Sequence, residues 1–204
     1  MKNEYKLNIK KYSTHSMICS LIGKNKKVLD IGCNDGYIGK SSDSTNIFYG
    51  VEYSSASVEK AKEFYVDAVQ GDLNMLPKLS FEKNFDVILF ADVLEHLMYP
   101  EKVLTEYVKY GKSESEIIVS LPNVANWQVR LNLLFGNFNY TKTGILDETH
   151  LHLYTVESAK KLVESCGLQV KKVYGGASFF GPTIKAFPFL AGLLSTSIVI
   201  VCKK

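Results

Sequence analysis

Short apolar runs alternate with amphipathic stretches along most of the chain. Val28, Leu29 and Ile31 form a compact apolar run, with the branching of an interior strand. The same reading gives strands at Ile47–Glu52, Asp67–Gln70, Phe85–Phe90, Ile117–Leu121, Leu168–Tyr174 and Ile198–Cys202. Phe85–Phe90 is nearly continuous in apolar residues, as expected of a strand covered on both faces. Helical spacing appears between the strands. Met17, Ile18, Leu21 and Ile22 make one stripe of a helix over Lys11–Ile22, stopped by Gly23. A short helix follows the Gly32–Gly36 turn and ends in the Ser41–Asn46 loop cluster. Further helices are predicted over Ser55–Phe64, capped by Ser54 or Ser55, and over Pro100–Tyr110, with Gly111 just past its end. Asn123 is the expected cap of a helix through Leu134, and Thr155 of one reaching Cys166 before Gly167.

Strands alternating with helices predict an α/β fold: a doubly wound, mainly parallel sheet with helices on both faces. Ligands in such sheets bind at the carboxyl ends of the strands. Asn74–Phe81 reads as a turn with a short helix near Pro77, and Phe135–Leu153 as an irregular, aromatic-rich segment. Ala186–Cys202 is apolar but holds Pro188, Gly192 and Ser195-Thr196-Ser197. It is short for a span of about 20 residues, so a loop and a final strand are expected, with no membrane span.

Composition narrows the function classes. The 204 residues suit a single domain (1–204) with an insertion around 123–154. The net charge is only +3 and Arg130 is the single arginine, which argues against a nucleic-acid partner. Cys19, Cys33, Cys166 and Cys202 show no C-x-x-C or metal-ligand spacing, so free thiols in a cytoplasmic protein are expected. Lys2, Lys6, Lys10 and Lys11 make a basic N-terminal arm, read as solvated.

Three carboxylates mark strand ends. Asp30 lies in the first strand, Glu52 ends the second 22 positions later, and Asp72 follows the third another 20 positions on. In a parallel sheet these side chains surround one ligand; Glu52 suits a pair of ribose hydroxyls and Asp72 an adenine amino group. A dinucleotide fingerprint would need glycine at 34 and 37, where the chain has Asn34 and Tyr37, and no G-K-[ST] follows the turn. Asp30 and Asp35 flank the turn, an acidic setting that suits a sulfonium cofactor better than a pyrophosphate.

The blocks Val28–Gly36, Tyr49-Gly50-Val51-Glu52, Gly71-Asp72 and Phe85-Asp86-Val87-Ile88 resemble the successive motifs of class I S-adenosylmethionine-dependent methyltransferases. That resemblance implies a Rossmann-like seven-stranded sheet with an antiparallel last strand. It also implies cofactor contacts at Asp30, Gly32, Asn34, Gly36, Glu52, Tyr53, Asp72, Leu73 and Ala91. Asn34 departs from the usual central glycine, although Asn accepts left-handed backbone angles. His96, after the fourth strand, and His150, within the insertion, are candidate catalytic bases. His152, two residues on, is expected to point away from His150.

No metal site is assigned. Asp92, Glu95 and His96 nevertheless have a D-x-x-E-H spacing that resembles the E-x-x-E-H of ubiquinone-type O-methyltransferases, where such residues hold a divalent ion. Ser120–Arg130 and Asp147–Thr155 resemble the MetW-related branch and methyltransferases of glycan-synthesis clusters. They imply a small-molecule or glycan-precursor acceptor, with Trp127, Tyr140, His150 and Tyr154 available for stacking. The alternatives are a MetW-like partner module without catalysis of its own and, last, a nucleotide-dependent oxidoreductase.

Overall fold

A computed structural model describes residues 12–177 and 179–204, so the basic arm at 1–11 lies outside the described residues. Seven strands form one sheet: β1 (Lys27–Ile31), β2 (Ile47–Glu52), β3 (Asp67–Gln70), β4 (Phe85–Ala91), β5 (Gly111–Pro122), β6 (Gln169–Gly176) and β7 (Ser197–Lys203), in the order β3-β2-β1-β4-β5-β7-β6. β1 through β5 pair in parallel, while β7 runs antiparallel to both β5 and β6. The alternation of elements predicts a doubly wound α/β sheet, and the resemblance implies its Rossmann-like seven strands with an antiparallel last one; the sheet has both features.

Eight helices accompany the sheet among the described residues: α1 (Thr14–Ile22), α2 (Tyr37–Ser41), α3 (Ser55–Ala61), α4 (Pro100–Tyr107), α5 (Trp127–Leu134), α6 (Val156–Ser165), α7 (Gly181–Ala186) and α8 (Ala191–Leu194). Strand residues alternate between two cores. Leu29, Ile31, Ile88 and Phe90 face α4 and α6, whereas Val28, Val87 and Leu89 face α1, α2 and α3. Each fully buried Leu, Ile or Phe contributes about 1.5–3 kcal/mol of apolar transfer.

Local chemistry sets the ends. Ser13, Ser54 and Thr155 accept from backbone N–H groups at the starts of α1, α3 and α6. Thr155 and Ser158 form a reciprocal capping box. Five expectations shift. The short helix expected near Pro77 is instead a 3-10 turn at Leu73–Met75, capped by Asp72. The helix over 55–64 stops at Ala61, and the chain turns so that Tyr65 enters the core. α5 is capped by Asn126, because the Asn123 amide instead donates to the carbonyls of Gly192 and Ser195. β5 begins at Gly111, earlier than its apolar run. The stretch before β7 coils into α7, a 3-10 turn at Pro188–Leu190, and α8, where a loop was expected. No helix among the described residues is long and apolar enough to cross a membrane.

Candidate active site

The β1–α2 turn is built from left-handed backbone. Gly32, Asn34 and Gly36 have φ of 79°, 48° and 76°. Asn34 thus adopts the angles its side chain tolerates best, and it is held there. Its N–H donates to Glu52 Oε2 at 3.1 Å, and its own Oδ1 accepts from the Asp35 N–H at 2.8 Å. Glu52 Oε1 accepts from the Ser54 N–H at 2.9 Å, so the carboxylate at the end of β2 is pinned at both oxygens. A Cβ on Gly32 would meet Val93 Cγ2 at 2.6 Å; a side chain there would close the space between the β1 and β4 loops.

A cavity of about 580 Å³ opens at the carboxyl ends of β1, β2 and β4. Asp30, Gly32, Asn34, Glu52, Tyr53, Asp72, Leu73 and Ala91 all line it, which brings together eight of the nine predicted cofactor positions. Gly36 is the ninth and lies outside the lining. Its missing side chain serves packing instead, since a Cβ there would meet the Ala61 backbone at 2.9 Å. Asp35 also turns away from the cavity, to an ion pair with Lys60 at 2.8 Å. Burial pushes its carboxyl up, but hydrogen bonds from Lys60, Ser57 and Tyr37 outweigh this and hold it below the usual range. Asp72 caps the short turn at Leu73–Met75 by accepting from the Asn74 N–H at 2.9 Å.

Asp30 is nearly inaccessible in the cavity floor. Its Oδ2 accepts a 2.6 Å bond from the Tyr65 hydroxyl. Its Oδ1 has no hydrogen-bond partner among the described residues. Burial raises its carboxyl to about 7, and the nearby charge of Glu52 adds to this against the Tyr65 bond. Gly39 and Gly50 leave room for the Tyr65 ring, which a Cβ at either position would strike.

A second cavity of about 830 Å³ adjoins the first, sharing His15, Asp92 and His96 in its walls. His96 and His150 meet here, ring centroids 4.8 Å apart and edge to face. His96 Nδ1 lies 3.2 Å from the Thr149 carbonyl, and His150 Nδ1 lies 3.1 Å from the Ile145 carbonyl. Thr149 Oγ1 also lies 3.1 Å from His96 Nδ1, but its hydrogen goes to Asp147 Oδ1. A carbonyl only accepts, so the tautomer that fits both sites has the proton on Nδ1 and the lone pair on Nε2. Burial holds the His96 pKa below its ordinary value, which favours the neutral ring.

Glu95 is fully buried, and neither of its carboxylate oxygens has a partner among the described residues. Burial, then the charge of Asp92, pushes it well above the usual carboxylate range. Its backbone carbonyl accepts from Leu151 and His152, which stitches the turn after β4 to the 145–153 segment. Asp92, in the walls of both cavities, accepts from Ser120 Oγ through its Oδ1 at 2.7 Å.

The stacking aromatics scatter. Trp127 packs edge-on against Phe180 at a separate small cavity, Tyr154 is buried in the core, and Tyr140 is exposed beside Phe138. Of that set only His150 lines the larger cavity, and His152 packs near Tyr154 instead. Sequence reasoning missed His15, which lines both cavities, and Asp147, which holds Thr149 through its N–H and Oγ1. The D-x-T spacing at 147–149 is the legible signal for that turn. All four cysteines are free.

A family profile described as "Methionine biosynthesis protein MetW" matches residues 12–181. The chain belongs to the MetW family. This MetW-family chain is also 29% identical over 105 residues to the mitochondrial ubiquinone biosynthesis O-methyltransferase of Candida albicans, a match over 47% of the chain and 32% of that protein. The match therefore spans about a third of the curated relative's length. Among solved structures, it resembles a TehB-like S-adenosylmethionine-dependent methyltransferase from Corynebacterium glutamicum (TM-score 0.60, 16% identity, covering 93% and 86% of the two chains). It also resembles a methyltransferase of the same cofactor class from Aquifex aeolicus (TM-score 0.62, 15% identity, 94% and 89%). The MetW-family chain thus has the class I methyltransferase fold.

Proposed function

We propose that this MetW-family protein is an enzyme that moves a methyl group from S-adenosylmethionine to an oxygen or nitrogen of a small molecule or glycan precursor. The observation that carries the reading is the placement of Glu52, Asp72 and Asp30 around one cavity, which opens onto a second cavity ending at His96 and His150. The residues fit the cofactor on chemistry: paired ribose hydroxyls suit the Glu52 carboxylate, and Asp30 offers a buried acceptor atom still in want of a donor.

When bound, the cofactor supplies an electrophilic methyl on a sulfonium. The backbone of Gly32–Asn34 would hold the methionyl end, Glu52 and Tyr53 the ribose, and Asp72 with Leu73 the adenine. Ala91 would close the space beneath. The chain's main catalytic contribution is orientation and exclusion of water. The acceptor's proton leaves at the His96–His150 cluster, where both Nε2 lone pairs are open. The 123–154 segment would cover the acceptor, within one domain spanning 1–204. Four unpaired thiols suit a cytoplasmic location.

Titration calorimetry with S-adenosylmethionine or its demethylated product is the direct test, and no binding by the wild-type protein overturns the reading. If binding is present, His96→Ala and His150→Ala are each expected to lower turnover by about 10²–10⁴-fold with cofactor affinity unchanged. Turnover that survives both substitutions removes the cluster from the chemistry.

A second reading is a partner-dependent module. The exposed Leu131, Leu134 and Phe135 favour it, because their i, i+3, i+4 spacing puts them on one side of α5 and its end, and an exposed apolar face marks an interaction surface. Cofactor binding without turnover until a partner is added would select this reading.

A further inference from the structure

We infer that Glu95, His96 and His150 form a binding site for a divalent transition ion of the Zn²⁺ type, made only when the 145–153 segment closes onto the turn after β4. One ligand atom from each residue falls within 4.8 Å of the others. The two histidines are 54 positions apart in the chain, so the fold and not a local motif assembles the group.

Three observations converge. Glu95 is fully buried with both oxygens unpartnered among the described residues, a state that needs a proton or a cation to be stable. Both imidazoles set Nδ1 against a backbone carbonyl, of Thr149 at 3.2 Å and Ile145 at 3.1 Å, and the Nδ1–H tautomer that suits this contact turns Nε2 into the ligand atom. That carbonyl-backed arrangement is how proteins orient metal-binding histidines. Two imidazoles and a carboxylate are a donor set for Zn²⁺, with a fourth position left for water or substrate. Mg²⁺ would need more oxygen ligands than the group offers.

The spacing of Asp92, Glu95 and His96 points to a different triad. Asp92 is not in the group, its Oδ1 accepting from Ser120 Oγ, and His150 from the distant segment stands in. A metal here would do two things. It would neutralise the Glu95 charge, and it would clasp the 145–153 segment against the sheet edge through His150. If the methyltransferase reading holds, the ion would occupy both Nε2 lone pairs and replace the free imidazoles in that role: an acceptor hydroxyl on the open position would be acidified by the ion and pass its proton to solvent water.

The test uses the metal alone. Protein stripped with a chelator is titrated with Zn²⁺ by calorimetry, then with Co²⁺ to read the visible spectrum. One ion per chain is expected, with Co²⁺ bands of nitrogen and oxygen ligation and no thiolate charge-transfer band. Glu95→Gln and His150→Ala should each weaken Zn²⁺ by at least tenfold. Glu95→Gln should leave the metal-free protein folded, because it places a neutral group in the same buried space. Absence of stoichiometric binding, a thiolate spectrum, or affinity that survives both substitutions overturns the site. Cofactor titration of the same samples is scored separately. Zn²⁺ binding without cofactor binding keeps the metal site and removes the methyltransferase reading; the converse removes the metal site alone.

Discussion

Glu52→Ala is expected to weaken S-adenosylmethionine binding by about 10²-fold or more. Hydrogen bonds to a charged group contribute roughly 1.5–3 kcal/mol each, and a carboxylate placed on two ribose hydroxyls makes two. The same side chain holds the Asn34 and Ser54 N–H groups, so its loss also slackens the turn that would hold the methionyl end. Glu52→Gln separates the two effects. One amide oxygen can still accept, and its affinity should fall between wild type and alanine. Calorimetry on the three proteins, with thermal unfolding as the control for folding, decides the matter. Affinity unchanged in Glu52→Ala would show that the cofactor lies elsewhere.

Asp30 should make the protein less stable as pH rises from about 4 to 7. Its carboxyl sits at about 7 in the folded protein against 3.8 for the free group, with burial as the main cause. Between those values the folded protein holds a proton that the unfolded chain has lost, so raising the pH favours unfolding. The contribution is fully present below about 4 and is gone above about 7. From pH 5 to pH 8 the loss is on the order of 3 kcal/mol. Asp30→Asn keeps an acceptor for the Tyr65 hydroxyl and removes the titration. Denaturant unfolding across this range should give wild-type and variant curves that diverge with rising pH, the variant becoming the more stable. Parallel curves would mean that Asp30 is solvated in the folded state.

The backbone of the fold was legible where a strand's sequence carries its own burial. Asp67–Gln70 and Ile47–Glu52 match their predicted ends, and Gly23 and Gly167 stop their helices with positive φ. Legibility failed where two local options were chemically equal and a distant contact chose between them. Asn123 and Asn126 are both competent caps; the carbonyls of Gly192 and Ser195 claim Asn123, and Asn126 takes the helix. The polar start of β5 reads as a loop because its strand character comes from pairing, with Gly111 opposite Phe85 and Glu116 opposite Val87 and Lys203.

The candidate site divides in the same way. Glu52 and Asp72 stand at strand ends, and strand ends follow from periodicity. Asp30 looked like a ligand-facing acid, but its tie to Tyr65 depends on a turn 35 residues away. The burial of Glu95 is hidden in a sequence that reads as polar. It exists because the 145–153 segment folds over the turn after β4, and no local spacing encodes that closure.

The position of β7 has a consequence for how the chain comes together during synthesis. β7 follows β6 in sequence yet stands between it and β5, and β6 has no other neighbour in the sheet. Until Ser197–Lys203 has left the ribosome, β6 has no strand to pair with, and α6 lacks part of the surface it covers. The first five strands can assemble as they emerge. The last third of the sheet must wait, with the apolar edge of β5 open for as long as the intervening residues take to be made. At about 5–20 residues per second, that interval lasts several seconds. For that time β5 presents Ile117, Ile118, Val119 and Leu121 on an unpaired edge, which makes it the place where a nascent chain is most exposed to wrong pairing.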